Sequence, residues 1–111
     1  MRISNVLKQD KVTISFEVFP PKKADGLEKV KTATEEIVVL KPDFMSVAYG
    51  AGGSTSKLTL EIAANLHKRY SVTILPHLTC IASTKEHVEE TVQRLNGFGI
   101  ENIMVLRGDI P

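Results

Sequence analysis

Four short stretches of this chain set side chains capable of chemistry beside residues that bend or free the backbone. "ISFEVFPPK" (14–22) carries Glu17 near the end of an apolar run, just before two prolines. "YGAGGSTS" (49–56) follows Tyr49 with glycines and hydroxyls, "PHLTC" (76–80) holds His77 and Cys80, and "LRGDIP" (106–111) sets Arg107 and Asp109 around Gly108. A carboxyl at a partly dehydrated strand end can hold a proton and deliver it as a general acid. An imidazole can donate a hydrogen bond, and glycines let backbone amides approach an anion at a helix start. Each stretch has a plainer reading: Glu17 paired with Lys22, a turn capped by Ser54 or Ser56, a satisfied core histidine, and a turn held by an Arg107–Asp109 pair.

Spacing narrows these options. The glycine stretch matches neither G-x-G-x-x-G, because position 55 is Thr, nor the P-loop, because no Gly-Lys pair falls where that motif needs one. One His and one Cys without a second cluster make a poor zinc site, so no metal is expected. His67 and His87 fall on helical segments and are expected to face solvent. Arg-Gly-Asp as an adhesion signal conflicts with its position at the end of an apolar run. Gly108 is instead expected to let the backbone lie against a ligand.

The elements that must position these groups are four β-branched runs at 11–19, 43–50, 71–78 and 101–108. Three segments of helical period separate them. Leu27, Val30, Thr34, Ile37 and Val38 mark the first apolar face, Ile62, Ala63, Leu66 and Tyr70 the second, and Val88, Val92 and Leu95 the third. Asp25 with Glu28, and Ser83 with Glu86, have capping-box spacing, and Gly97 and Gly99 suit a helix end. Phe16, Met45, Ile74 and Met104 recur every 29 or 30 residues, which predicts parallel strands joined by right-handed crossovers. Eight such units need about 230 residues, close to a TIM barrel. The expected fold class is therefore α/β: parallel βα repeats forming the first half of a TIM (β/α)8 barrel, four strands and three helices. Residues 1–111 are expected to be the incomplete amino-terminal part of one barrel domain. Reactive groups in parallel α/β folds gather at the carboxyl ends of the strands. Here those ends carry Glu17, Tyr49, His77, and Arg107 with Asp109. Alternation along the first strand puts Thr13, Ser15 and Glu17 on one side and Val12, Ile14, Phe16 and Val18 on the other.

The bulk numbers agree with a folded domain. The chain has 111 residues, 42% of them apolar, and a formal charge of +1, which gives no electrostatic footprint for nucleic acid or a membrane surface. A single cysteine and a start without a signal-peptide core predict a cytoplasmic setting. No run approaches the ~18 apolar residues of a membrane span. Unpaired outer strands predict self-association, and a homo-oligomer is expected.

Taken together and in this order, "FEVFPPK", "SVAYGAGGSTSK", "PHLTC" and "NIMVLRGDIP" resemble the amino-terminal half of methylenetetrahydrofolate reductases. The resemblance covers nearly the whole chain from Ile14 onward. It implies a barrel holding FAD at its carboxyl rim, reduced by NADH or NADPH and in turn reducing 5,10-methylenetetrahydrofolate, the folate substrate, to 5-methyltetrahydrofolate. By the same resemblance Glu17 is the catalytic acid that protonates a folate nitrogen, and Asp109 is the carboxylate near the flavin that favours a cationic folate. Tyr49, Ala51, His77, Arg107, Gly108 and Asp109 match positions that bind FAD. Where many relatives have Thr before the motif tyrosine this chain has Ala48, so one hydroxyl is missing and a backbone contact takes its place. Two further readings stand beside this one. A catalytically inactive half-barrel serving as an assembly or binding module fits the length, and a phosphate-binding aldolase or isomerase barrel fits "GAGGS" but lacks a lysine at a strand end.

Overall fold

The computed structural model describes residues 1–49, 56–81 and 83–109. In chain order they form α1 (Ile3–Leu7), β1 (Ser15–Val18), a 3-10 turn (Ala24–Gly26), α2 (Leu27–Val38), β2 (Phe44–Val47), α3 (Ser56–Tyr70), β3 (Ile74–Thr79), α4 (Lys85–Gly97) and β4 (Met104–Leu106). None of these helices is long and apolar enough to cross a membrane.

All neighbouring strands are parallel, and the sheet order is β1-β2-β3-β4. That order separates the two architectures open to βα repeats. A doubly wound sheet reverses direction within its first four strands, whereas a barrel wall adds each strand beside the last. The observed succession is that of the first half of a TIM barrel.

One layer of helices covers one face of the sheet. Met45, Val47, Ala63 and Leu66 are fully buried, and Val18, Ile74, Leu95 and Ile100 complete the core with them. Leu27, Val30 and Ile37 of α2 pack against the same cluster, as do Val38 and Tyr70. Thr34 lies in the buried stripe of α2 because its hydroxyl is satisfied by the Val30 carbonyl at 2.6 Å. The stripe of α4 differs from expectation: Thr91 and Leu95 are buried while Val92 is 45% exposed. Thr91 can take that place because its hydroxyl donates to the His87 carbonyl at 2.8 Å.

The helix boundaries differ from expectation as well. Asp25 lies in the 3-10 turn and gives no side-chain cap; α2 starts after Gly26, whose Cβ, if it had one, would sit 2.8 Å from that of Pro21. At α4 the cap is Thr84 rather than Ser83, its hydroxyl accepting the His87 amide at 3.0 Å. Gly99 closes α4 with φ +80°, a conformation glycine adopts without penalty.

Registers Phe16↔Met45 and Met45↔Ile74 follow the repeat, but Met104 pairs with His77, not Ile74. An odd shift moves a strand's side chains to the other face, so Met104 joins the face opposite the helices. β4 is otherwise bare, with Val105 63% exposed. Helix α1 lacked any periodic signal in its five residues. It is anchored at the amino ends of the strands: Val6 is buried, the Ile3 amide donates to Asn102 Oδ1 at 2.8 Å, and Asn102 Nδ2 donates to the Met1 carbonyl at 2.9 Å.

Candidate active site at the carboxyl rim

Phe16 and Val18 turn toward the helices, so the pleat sends Ser15 and Glu17 to the uncovered face. Asp43 sets the start of β1. Its amide donates to the Ile14 carbonyl at 2.8 Å, and its carboxylate accepts the Ile14 amide at 2.8 Å and the Lys11 ammonium at 2.6 Å. The ammonium, then the amide, hold the Asp43 carboxyl below its ordinary value of 3.8.

From that start the register carries Glu17 opposite Ser46 of β2. Ser46 Oγ donates to Glu17 Oε1 at 3.1 Å, and His77 Nε2 of β3 lies 3.4 Å from the same oxygen. Three consecutive strands thus converge on one carboxylate oxygen. The His77 side chain is 14% exposed and that of Glu17 42%, so the described residues dehydrate the imidazole more than the carboxyl. Glu17 takes these partners rather than Lys22. A carboxyl held this way, with one edge facing the lumen, is suited to passing a proton to a ligand above it.

Ser46, a serine within an apolar strand, has no local signature of a functional residue. The signal is the repeat itself: Glu17 and Ser46 stand 29 residues apart, as Phe16 and Met45 do.

Tyr49, half-buried after β2, brings its hydroxyl within 3.4 Å of His87 Nε2. The Thr84 cap fixes the first turn of α4 and thereby aims His87 at the rim. His87 and His67 are both half-buried, which corrects the expectation that they face solvent. His67 is drawn in by the close approach of Gly99, whose Cβ position would be 3.4 Å from Nε2.

Beyond β4 the ladder continues: the Cys80 amide donates to the Leu106 carbonyl at 2.9 Å and the Ile81 amide to the Arg107 carbonyl at 2.8 Å. Gly108 has φ +90°, and a Cβ there would meet Ile81 Cγ2 at 2.6 Å and Thr79 Cβ at 3.0 Å. Its glycine is therefore required by packing inside the chain. The Arg107 and Asp109 side chains are exposed, and among the described residues no ion pair joins them. They leave from β4, at the opposite edge of the sheet from Glu17. Ala48 is buried, with its amide donating to the Val18 carbonyl at 2.8 Å and its carbonyl accepting from Thr59 at 3.0 Å. Ala51, with the rest of the glycine stretch at 50–55, lies outside the described residues.

Comparison with known proteins bears on the same residues. A sequence model of the family described as methylenetetrahydrofolate reductase matches residues 2–111. The chain is 38% identical over 110 residues to methylenetetrahydrofolate reductase (NADH) 1 of Arabidopsis thaliana, covering 99% of this chain and 19% of that protein. It is 38% identical over 102 residues to the 5,10-methylenetetrahydrofolate reductase of Buchnera aphidicola, and 33% over 103 residues to that of Escherichia coli. Those matches take in 92% and 93% of this chain and 35% of each relative. The chain thus spans about a third or less of the length of these curated relatives. With a match along almost all of its length, and a half-barrel sheet that sets an acid and an imidazole on one rim, the chain belongs to the methylenetetrahydrofolate reductase family.

Proposed function

We propose that the protein carrying this chain reduces 5,10-methylenetetrahydrofolate to 5-methyltetrahydrofolate, with FAD as resident cofactor and NADH or NADPH as electron donor. The observation that supports this reading is the Glu17–Ser46–His77 cluster at the carboxyl rim of a parallel sheet in a chain of this family. Residues 1–111 then form the amino-terminal part of one barrel domain, in keeping with the 35% of the bacterial relatives that they span. NADH, named for the plant relative, is the first donor to try. The proposal extends to a cytoplasmic homo-oligomer; the bare apolar strand β4 is the place where the rest of the barrel would pair.

The rim suits a large anionic cofactor. Arg107 offers an exposed guanidinium without an ion pair among the described residues, and the buried hydroxyl Thr79 Oγ1 has no hydrogen-bond partner among them. Tyr49, His77, Arg107 and Gly108, with Ala51, are the residues that would hold FAD. When bound, FAD supplies the hydride. Glu17 gives its proton to the bridging folate nitrogen as the adjacent carbon–nitrogen bond breaks, leaving a carbocation conjugated with the second nitrogen to accept the hydride. Asp109 contributes a fixed negative charge that favours this cationic folate.

The test is Glu17→Gln in the intact, FAD-loaded protein. Anaerobic bleaching of the flavin by NADH is expected to persist, while its reoxidation by methylenetetrahydrofolate falls by about a hundred-fold or more, the usual worth of a general acid. Undiminished reoxidation in that variant would overturn the assignment.

A further inference from the structure

We propose that Ser46 is a positioning residue that decides which oxygen of Glu17 carries the transferable proton; this rests on the reading of Glu17 as the acid. Ser46 Oγ donates to Oε1 at 3.1 Å, and His77 Nε2 lies 3.4 Å from that oxygen. Among the described residues nothing reaches Oε2. A protonated carboxyl has one carbonyl oxygen and one hydroxyl oxygen, and the oxygen that accepts the Ser46 hydrogen bond is the carbonyl one. The proton therefore sits on Oε2, the oxygen left open to the lumen.

His77 alone would leave the choice undecided, because an imidazole nitrogen donates or accepts according to its tautomer. A neutral Nε2 without a proton would draw the Glu17 proton onto Oε1, away from any ligand. Ser46 removes that option. Its hydroxyl has no other acceptor among the described residues, so its hydrogen is committed to Oε1. The residue is 9% exposed on an inner strand, and its register with Glu17 is set by the ladder between β1 and β2. A donor held by paired strands keeps its aim better than one on a loop.

The proton transfer balances. The Oε2–H bond breaks, an N–H bond forms on the substrate, and the electron pair stays on Glu17 as a carboxylate. The bond from Ser46 then becomes charge-assisted and strengthens as the proton leaves, with the His77 imidazole 3.4 Å from the same oxygen.

The experiment compares Ser46→Ala, Ser46→Thr and Glu17→Gln in the intact FAD-loaded protein, reading flavin bleaching by NADH and flavin reoxidation by methylenetetrahydrofolate separately. Ser46→Ala is expected to slow reoxidation about ten-fold, the worth of one hydrogen bond, with bleaching unchanged. Ser46→Thr keeps the hydroxyl and is expected to restore the rate to within about two-fold. Adding Ser46→Ala to Glu17→Gln is expected to cost nothing more, since Ser46 acts through Glu17. Wild-type reoxidation in Ser46→Ala, while Glu17→Gln is inactive, overturns the role of Ser46 and leaves Glu17 in place. Equal losses in both half-reactions mean a structural role and overturn it too. An active Glu17→Gln overturns both.

Discussion

Gly108 offers a quantitative check on the rim. Replacing it with alanine imposes two costs of different origin. The backbone stands at φ +90°, where an L side chain crowds its own peptide, at about 1–2 kcal/mol. The new methyl would also sit 2.6 Å from Ile81 Cγ2 and 3.0 Å from Thr79 Cβ. Both neighbours are β-branched and stiff at χ1, so relief requires movement of the strand, at a further 1–3 kcal/mol or so. The expected loss is about 2–5 kcal/mol, which at an ordinary urea dependence lowers the unfolding midpoint by about 1 M or more. An Ile81→Ala background separates the parts, because it removes the nearest atom and leaves the backbone strain. There the cost of Gly108→Ala is expected to fall by at least about 1 kcal/mol. Gly97→Ala is the control: nothing lies within 4 Å of its Cβ position, and it ends α4 without a positive φ, so stability is expected to stay level or rise by up to about 1 kcal/mol. A Gly108→Ala loss below about 0.5 kcal/mol, or one unchanged by Ile81→Ala, would refute the packing argument.

Thr84→Ala removes the α4 cap that accepts the His87 amide and is expected to cost about 1 kcal/mol in urea unfolding, while Ser83→Ala costs clearly less because Ser83 does not cap. Asp43 governs an acid limb. Its folded carboxyl is held below the ordinary value by Lys11 and the Ile14 amide, so its contribution is complete above the ordinary value and is lost as pH falls through the depressed one. Asp43→Asn is therefore expected to lower stability at neutral pH and to flatten the decline below about pH 4, followed by circular dichroism. An unchanged acid slope would contradict the linkage.

Much of this protein follows from local periods. The order of the four strands and of helices α2, α3 and α4, the faces of α2 and α3, and the side of β1 on which Glu17 stands all come from alternation or helical spacing within a dozen residues, whereas α1 does not. The carboxyl-rim placement of Glu17, Tyr49, His77, Arg107 and Asp109 follows from that order, because parallel strands end together. The roles proposed for them toward folate and FAD rest on resemblance to a family.

What the sequence could not decide was lateral. Strand order separates a barrel wall from a doubly wound sheet, yet it depends on which strand pairs with which, and the same βα repeats serve both. Register at β4 likewise departs from the repeat, placing Met104 beside His77, because the offset between parallel strands is set by packing across the sheet and leaves no mark on either strand alone. The partners of Glu17, and the approach of His87 to Tyr49, depend on those offsets. Residue types and spacing determined which groups this chain brings to its rim; only the paired strands and docked helices determined which of them touch, since contact between distant segments is a property of the packed sheet and not of any stretch within it.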